Sequence, residues 1–486
     1  MVNATTLTFV VYLIGMVTIG IIAFRLTDSL SDYILGGRSL GPGVTALSAG
    51  ASDMSGWLLL GLPGALFAAG MNQIWIAIGL SVGAYLNWQL VAPRLRIYTE
   101  QASNALTLPD FLENRFSDET RLLRVLSAVV ILLFFTFYTS SGLVAGAKLF
   151  EATFDMPYDA ALWIGAAVII AYTFLGGFLA VSWTDFVQGT LMFLALIVIP
   201  FVTLQQVGSW DAVTAAVAET NPEFLDAFHD MTVLGIISLA AWGLGYFGQP
   251  HILARFMAIR RVSDIPLARL IGMGWMVIGL FGAMFTGSIA IAYFGPDQLD
   301  DPEKVFIVLS QVLFHPMVSG ILLAAILAAV MSTIDSQLLV SSSAITEDFY
   351  RQILRKEAPE TELVWVGRIS VVIIALIATL LATDRDSSVL SLVSYAWAGF
   401  GAAFGPIVLL SLMWRGLSRN GALFGMVSGA VTVVVWKAQT GGLFDLYEIL
   451  PGFIVCGGVA ILVSLFGKPA SEETLVEYDR IRAMWR

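Results

Sequence analysis

The sequence predicts an all-α integral membrane protein, from its composition, its long apolar runs and the placement of its basic residues. Of 486 residues, 58% are hydrophobic and 13% are charged, and the mean hydropathy is +0.83. Soluble domains carry about 25% charged residues, so this composition excludes a large soluble enzyme. A window of about 19 residues marks thirteen apolar runs, which predict thirteen transmembrane helices in one domain over residues 1–486.

The thirteen predicted spans follow one another with short polar connections. The first has no basic stretch before it, so it is interpreted as a retained span and not a cleaved signal peptide. A surface helix is predicted within the polar connection at 105–116, entered at Pro109 and Asp110. The spans centre near Val17, Leu58, Val82, Phe134, Ala167, Ala195, Trp242, Phe281, Ile326, Ile374, Gly401, Val427 and Val459.

Basic residues predict the orientation of the chain in the membrane. Of the 25 Lys and Arg residues, all but Lys148, Lys304, Arg385 and Lys437 fall in alternate loops on one side. The positive-inside rule makes that side cytoplasmic, so the N-terminus is expected outside and the C-terminus inside. No basic residue is assigned to the middle of a span. An intramembrane carboxylate should therefore be protonated, heavily hydrogen-bonded or partnered by a mobile cation.

The second span contains an ionisable residue in a segment that is poorly suited to a continuous helix. Asp53 lies in LSAGASDMSGW, residues 47–57, among small residues. A charge at mid-membrane costs about 2.5–3.5 kcal/mol on insertion scales, and irregular backbone there must line a cavity or be buried in protein. Carboxylate, hydroxyl and carbonyl oxygens suit a small hard cation. The alternative is a structural aspartate that caps a half-helix.

A second interrupted span lies five spans later, in WGLGYFGQPH, residues 242–251. Paired breaks at matching positions are typical of transporters built from two inverted repeats. The spacing predicts a five-plus-five repeat core in spans two to eleven, residues 41–415. A first span with its loop (1–40), two later spans (416–467) and a cytoplasmic tail (468–486) would be additions.

Span nine offers hydroxyls for a cation and a carboxylate beyond them. Ser332 and Thr333 are adjacent, and Ala329 lies about one turn earlier, where its carbonyl could join them. The alternative is that both hydroxyls only bond carbonyls of their own helix.

Asp335 shares a helix face with Ser332, and Asp185 at the start of span six could approach it. With Ser336 these carboxylates form a candidate second cation site. Alternatively, one carboxyl keeps a proton and donates a hydrogen bond.

Aromatic residues near the two breaks suggest a pocket for a small organic molecule. Tyr138, Trp242 and Tyr246 could supply ring faces, while Pro250 is expected to fix the kink. The three histidines show no metal-ligand spacing, and the chain has no P-loop, HExxH or GxSxG motif. We therefore expect neither an enzyme nor an organic cofactor. The net charge of −11 argues against nucleic-acid binding.

Several segments carry a family resemblance over nearly the whole chain. They are DYILGGRSLGPGVTALSAGASDMSGWLLLGLPGA from Asp32, LTLPDFLENRF from Leu106, GGFLAVSWTDFVQG from Gly176, WGLGYFGQPHILARFMA from Trp242, ILAAVMSTIDSQLLVSSSAITED from Ile326 and SYAWAGFGAAFGP from Ser394. With these motifs the chain resembles the sodium/solute symporter family, and within it the bacterial sodium/proline symporters.

The resemblance implies a LeuT-like inverted-repeat fold with a sodium site between spans two and nine. Asp53 would be important for sodium, and Arg38 for coupling at the cytoplasmic side. The implied sodium ligands are the carbonyls of Ala51, Met54 and Ala329 and the hydroxyls of Ser332 and Thr333. The implied substrate residues are Ser55, Gly56, Trp57, Tyr138, Trp242, Tyr246 and Pro250.

Two positions depart from the proline-transporting pattern. Asp335 stands where those symporters have a serine, and Gln73 where they have a glutamate. Because some relatives carry a further sodium site at the helix face of Asp335, the first departure leaves the stoichiometry open.

The implied function is secondary active transport across the bacterial cytoplasmic (inner) membrane, with inward sodium movement driving uptake of L-proline by alternating access. Sodium would be the co-transported ion. Alternatives are sodium symport of another small solute, such as pantothenate, a sugar or another amino acid, or a transporter-like sensor. Such sensors carry a signalling domain after the spans, and the stretch following Lys468 is too short for one.

Overall fold

The protein is a bundle of α-helices in a computed structural model that describes residues 4–24, 30–175, 177–295 and 299–485. Two loop arginines used in the orientation argument, Arg25 and Arg486, lie outside the described residues. An isolated β-bridge joins Leu40 to Ile259.

The helices of the first half are α1 Ala4–Phe24, α2 Leu30–Leu35, α3 Pro42–Asp53, α4 Leu62–Ala69, α5 Ile74–Leu86, α6 Ala92–Gln101, α7 Leu108–Arg115, α8 Leu122–Phe154, α9 Tyr158–Leu175, α10 Phe178–Val207 and α11 Trp210–Thr220. Those of the second half are α12 Val233–Ala240, α13 Pro250–Ala258, α14 Ile265–Phe294, α15 Val305–Leu313, α16 Pro316–Ser343, α17 Glu360–Leu381, α18 Val389–Met413, α19 Arg419–Lys437, α20 Ile449–Phe466 and α21 Glu472–Arg482.

Ten helical segments within the described residues are long and apolar enough to cross a membrane. Two shorter apolar stretches, Tyr158–Ala171 and Val233–Gly248, accompany them. The all-helical membrane architecture is therefore confirmed, while the count of thirteen spans stays a prediction.

Both interrupted spans are broken where the sequence indicated. Helix α3 ends at Asp53, and Met54 leaves the helical conformation with φ −80° and ψ 67°. The chain then enters α4 through a π-helical turn at Trp57–Gly61. In the other span a 3₁₀ segment, Ala241–Gly248, separates α12 from α13. Glycine and proline at these points disfavour a continuous helix.

The second break packs closely on a neighbouring helix. A Cβ atom added to Gly243 would lie only 2.1 Å from the carbonyl oxygen of Gly79 on α5. Only glycine allows the two backbones to approach this closely. The 3₁₀ segment is therefore held inside the bundle, where surrounding protein shields its irregular backbone from lipid.

Helix α16 is the central helix of the bundle. It packs against α1, α3, α8 and α10, and nearly every side chain from Leu322 to Leu339 is buried. A helix that is apolar on all sides belongs in the interior. The hydroxyls and the carboxylate that α16 carries are therefore shielded from lipid and available only to neighbouring helices.

The predicted helix at 105–116 exists as α7, but it does not lie on the surface. Thr107 caps it by accepting a hydrogen bond from the backbone N–H of Asp110 at 3.1 Å. Its apolar side chains and Arg115 are buried. The expectation of a surface location is wrong because α7 packs against α8 and α13.

Candidate ion and solute site

The end of α3 meets the middle of α16 through a group of buried oxygen atoms. The Ser332 hydroxyl lies 2.8 Å from the carbonyl oxygen of Ala51 and 3.2 Å from that of Ala329. The Thr333 hydroxyl lies 3.4 Å from the same Ala51 carbonyl. The structure therefore brings together four of the five predicted sodium ligands. Met54, the fifth, is the buried residue directly at the break.

These oxygens are chemically suited to a small hard cation. Hydroxyls and carbonyls are the neutral donors that such ions accept. The hydroxyls do not bond only within α16, because both also reach Ala51 on another helix. The simpler interpretation, that they only satisfy their own helix, is therefore incomplete.

Asp53 connects the two broken spans. One carboxylate oxygen accepts a hydrogen bond from the Tyr246 hydroxyl at 2.5 Å. The backbone carbonyl of Asp53 accepts from the Tyr138 hydroxyl at 3.2 Å and from the Trp57 indole at 3.3 Å. The other carboxylate oxygen has no hydrogen-bond partner among the described residues. Asp53 therefore contacts the residues predicted to hold the substrate.

A small cavity adjoins this carboxylate. It has a volume of about 20 Å³ and is lined in part by Asp53, Asn87, Tyr246 and Met276. The side-chain oxygen of Asn87 also lacks a hydrogen-bond partner in the described part of the chain. A space of this size holds about one water molecule, which could satisfy both oxygens.

The predicted aromatic residues form a connected group across the breaks. The Trp57 and Trp242 ring centroids are 6.1 Å apart. Two residues that sequence analysis missed extend the group: Tyr447 stacks on Trp242 at 5.2 Å, and Trp397 packs edge-on against Tyr246 at 5.1 Å. Trp397 lies in the quoted segment SYAWAGFGAAFGP, whereas no local signal marks Tyr447.

The remaining predicted substrate residues lie in two places. Ser55 and Gly56 are buried at the break beside Trp57, where a Cβ on Gly56 would approach that of Ala145 to 2.8 Å. Pro250 begins α13 and lines a different small cavity, with residues that include Leu339. Pro250 therefore follows the kink, whereas Trp242 and Tyr246 lie within it.

A basic side chain lies beside the carboxyl groups of Asp185 and Asp335, the candidate second cation site. Arg255, in the last turn of α13, is fully buried and forms an ion pair with Asp185 at 3.0 Å. It also donates to the Ser336 hydroxyl at 2.6 Å, next to Asp335. The expectation that intramembrane carboxylates lack a side-chain cation is therefore wrong for Asp185. Hydropathy assigns Arg255 to a loop because it lies near the end of an apolar run.

Arg38 joins the segment before α3 to the end of α13. Its guanidinium donates to the carbonyl oxygens of Met257 at 2.6 Å and Ala105 at 2.7 Å. Burial, with a further contribution from the positive charge of Arg96, lowers the pKa of Arg38 to about 10. Arg38 therefore stays charged at neutral pH. It links the segment before α3 to α13 and to the loop between α6 and α7.

Comparison with known proteins identifies the group to which this arrangement belongs. The model of the sodium:solute symporter family matches residues 33–429, a range that includes both breaks and α16. The chain belongs to the sodium:solute symporter family. It is 58% identical over 471 residues to the sodium/proline symporter of Escherichia coli (strain K12), covering 96% of this chain and 93% of that protein.

Two further similarities agree with this membership. The chain is 55% identical over 467 residues to the high-affinity proline transporter PutP of Bacillus subtilis (strain 168), covering 96% of this chain and 98% of that one. A solved sodium-coupled sialic acid symporter, in a substrate-bound outward-open state, has the same fold. Its TM-score is 0.81 at 17% identity, with 96% of this chain and 99% of that chain covered.

Within this family the two departures in sequence lie in different surroundings. Gln73 is in a 3₁₀ turn between α4 and α5, where it donates to Asn72 at 2.9 Å. Asp335 is buried on α16, one residue from the serine that Arg255 contacts. Of the two, Asp335 is therefore the one placed to influence ion binding.

Proposed function

We propose that this symporter carries L-proline into the cell together with sodium. The observation that supports this most directly is the meeting of Ala51, Ser332 and Thr333 at the break of the second span. In this proposal the oxygens would serve as donors for a cation, and the neighbouring aromatic group would receive a small ring. The relatives named above, which are called proline transporters, favour proline as that solute.

In this proposal the two ligands share the break. Sodium would bind the carbonyls of Ala51, Met54 and Ala329 and the hydroxyls of Ser332 and Thr333. Asp53 would support this site indirectly, since its carboxylate bonds Tyr246. Proline would contact Ser55, Gly56, Trp57, Tyr138, Trp242 and Tyr246, with Pro250 shaping the kink.

Coupling follows from the shared backbone. Sodium would hold the end of α3 against α16, and the same turn of chain leads directly to Trp57. A solute that finds this turn already ordered binds more tightly, and by linkage it strengthens sodium binding by the same factor. Arg38, which ties the segment before α3 to α13, would transmit this ordering to the cytoplasmic side.

We further propose thirteen spans with the N-terminus outside. The apolar segment Trp57–Gln101 has 45 residues, about twice the 20 or so that cross a bilayer. It turns at Gly70, whose φ of 77° favours glycine, so it would make two spans. Ten long apolar segments, one of them counted as two spans, and the two shorter apolar stretches together support thirteen spans. Spans two to eleven would form the LeuT-like repeat core over 41–415.

The two ends of the bundle differ in a way that fits alternating access. At the end assigned outside, a cavity of about 650 Å³ opens beside Gly61 and Gly64 of the second span. Its wall includes Lys148, which pairs with Glu303 at 2.7 Å. At the other end Arg38 and the Leu40–Ile259 bridge hold the segments together. The proposed sodium and proline residues do not line this cavity and are buried, so a further opening of the outer side would be needed to admit ligands.

The energetics are sufficient for accumulation. One positive charge moving inward gains about 2.3 kcal/mol per 100 mV, and each tenfold accumulation of proline costs about 1.4 kcal/mol. The electrical term alone therefore supports more than tenfold accumulation at 100 mV, and a sodium gradient adds to it.

The test is uptake of labelled proline into proteoliposomes containing the purified protein. Uptake should rise well above equilibrium with an inward sodium gradient and should stop when potassium replaces sodium on both sides. Unlabelled pantothenate, sugars and other amino acids serve as competitors. Stronger inhibition by one of these than by proline would identify a different solute. Proline binding without any flux would favour a sensor.

A further inference from the structure

A tyrosine from outside the predicted repeat core reaches the proposed solute site. Tyr447 lies in the connection between α19 and α20, beyond the core predicted over 41–415. Its ring stacks on Trp242, with the centroids 5.2 Å apart and an angle of 30° between the planes. Trp242 in turn contacts Trp57. The aromatic group at the second break therefore has a member that the repeat core does not supply.

These three rings differ in their exposure. Trp57 is 1% exposed and Trp242 is 5% exposed, whereas Tyr447 is partly exposed. Tyr447 also bonds α18, the helix whose first turn contributes Leu390 to the large cavity at the end assigned outside. A solute that arrives from this end would meet Tyr447 before it meets Trp242 or Trp57.

Hydrogen bonds hold the Tyr447 ring in place. Its backbone N–H donates to the Ser238 hydroxyl of α12 at 2.6 Å, and its own hydroxyl donates to the Ser394 carbonyl of α18 at 2.7 Å. The carbonyl of Leu446, the preceding residue, accepts from the Trp436 indole at 3.0 Å. A ring that is already fixed loses little freedom when a ligand packs on it. Tyr447 is therefore suited to define the shape of a pocket.

Packing at the start of α20 also fixes the distance between Tyr447 and the second break. Ile449 is fully buried. A Cβ atom added to Gly401 would lie 2.6 Å from the Ile449 side chain and 2.8 Å from the Cα atom of Gly245. Because α20 begins directly against the 3₁₀ segment, the ring two residues earlier is held over Trp242.

We propose that Tyr447 determines which solutes this transporter accepts, because its ring closes the outer side of the aromatic pocket around a small ring. The inference rests on the proposed function and deepens it by assigning a specificity residue outside the repeat core. A fixed aromatic wall excludes a larger ring by steric overlap. One methylene more or less in an apolar pocket changes selectivity by about 10-fold to 200-fold.

The experiment compares uptake of labelled L-proline with uptake of labelled L-pipecolate, its homologue with a six-membered ring, in proteoliposomes with an inward sodium gradient. By kcat/KM, the wild type should prefer proline by about tenfold or more. Tyr447→Ala removes the wall, so this preference should fall by about tenfold, through a higher KM for proline and a lower KM for pipecolate.

Two further variants separate the ring from the rest of the connection. Tyr447→Phe keeps the ring and loses only the bond to Ser394, so it should restore the preference that Tyr447→Ala loses. Phe444→Ala is the matched control. Phe444 lies in the same connection, but its ring packs on Trp436 at 4.7 Å, so its loss should leave the preference unchanged.

Three results would overturn the inference. The first is equal transport of the two compounds by the wild type, and the second is an unchanged preference in Tyr447→Ala. The third is an equal fall in Phe444→Ala, which would assign the effect to the whole connection. If Tyr447→Ala does not fold, Tyr447→Leu keeps apolar bulk without a flat ring, and the same change in preference decides.

Failure of the proposed function would look different. Wild-type protein that takes up neither compound in response to sodium would refute the function. Sodium-driven proline uptake with the same preference in every variant would refute only the role of Tyr447. The sodium concentration for half-maximal uptake should stay unchanged in Phe444→Ala, because Phe444 supplies no oxygen to the proposed sodium site.

Discussion

The Ser332 hydroxyl lies 2.8 Å from the Ala51 carbonyl oxygen, which joins the middle of α16 to the last turn of α3. This contact spans 281 residues of sequence. In the proposed function, this contact makes the break in the second span part of an ion site as well as an interruption of a helix. Any ion held there would influence the orientation of Trp57, a few residues further along the chain.

Removing both hydroxyls should uncouple proline from sodium. We expect Ser332→Ala/Thr333→Ala to abolish sodium activation of proline binding, because the site loses two of its oxygen donors. Proline binding to purified protein would be measured over a range of sodium concentrations. The control is Ser428→Ala/Thr432→Ala on α19, whose hydroxyls bond carbonyls of their own helix. Wild-type sodium activation in the first variant would contradict the placement of the site.

Truncating Trp242 should weaken proline binding selectively. Trp242 packs against both Trp57 and Tyr447, and loss of a ring stack of this kind costs about 0.5–1.5 kcal/mol beyond the lost burial. We expect Trp242→Ala to raise the KM for proline by at least tenfold in uptake assays while sodium binding is nearly unchanged. Trp163→Ala, which alters a tryptophan of α9 that is 44% exposed, is the control. Equal loss of both affinities would indicate a folding role for Trp242.

The hydrogen bond between Tyr246 and Asp53 should matter for sodium. In Tyr246→Phe the Asp53 carboxylate loses the hydrogen bond donated by the Tyr246 hydroxyl, and a hydrogen bond to a charged group is worth about 1.5–3 kcal/mol. We expect the sodium concentration for half-maximal uptake to rise by about 10-fold to 100-fold. Tyr158→Phe, which removes a buried hydroxyl bonded to the Ala382 carbonyl, should leave it unchanged. An unaltered sodium dependence in Tyr246→Phe would show that Asp53 acts independently of this bond.

Asp118 should make stability depend on pH. Burial alone would raise the pKa of this loop carboxyl, but hydrogen bonds from Thr120, the Leu123 backbone and Arg419 outweigh burial and lower it. A lowered folded-state pKa adds stability above the unfolded value of about 3.9, and this stability is lost as the pH falls through the folded value.

The variant Asp118→Asn should therefore unfold at a lower temperature than wild type at pH 7, and the gap should close below about pH 4. Thermal unfolding in detergent at several pH values measures this. Asp386→Asn, at an exposed position, should follow the wild type throughout. A gap that persists at low pH would mean that Asp118 acts through packing and not through its charge.

The sequence alone determined the features that depend on local chemistry. Asp53 among small residues, and glycines with a proline near Trp242, disfavour a continuous helix whatever the neighbours are, and both breaks occur there. The adjacent hydroxyls of Ser332 and Thr333 identified the surface of α16 that faces α3. Apolar runs of about 20 residues predict membrane-spanning helices, so the helical class also followed from the sequence.

The tertiary structure alone decided which distant groups meet. Hydropathy places Arg255 at the edge of an apolar run, but its long side chain can extend either to water or inward. It turns inward because Ser48, Asp185 and Ser336 arrive from three other helices with oxygens to bond it. Tyr447 reaches Trp242 for a similar reason, since the approach of α20 to the second break is set by packing. No local pattern encodes such contacts, because their energy depends on side chains far away in the sequence.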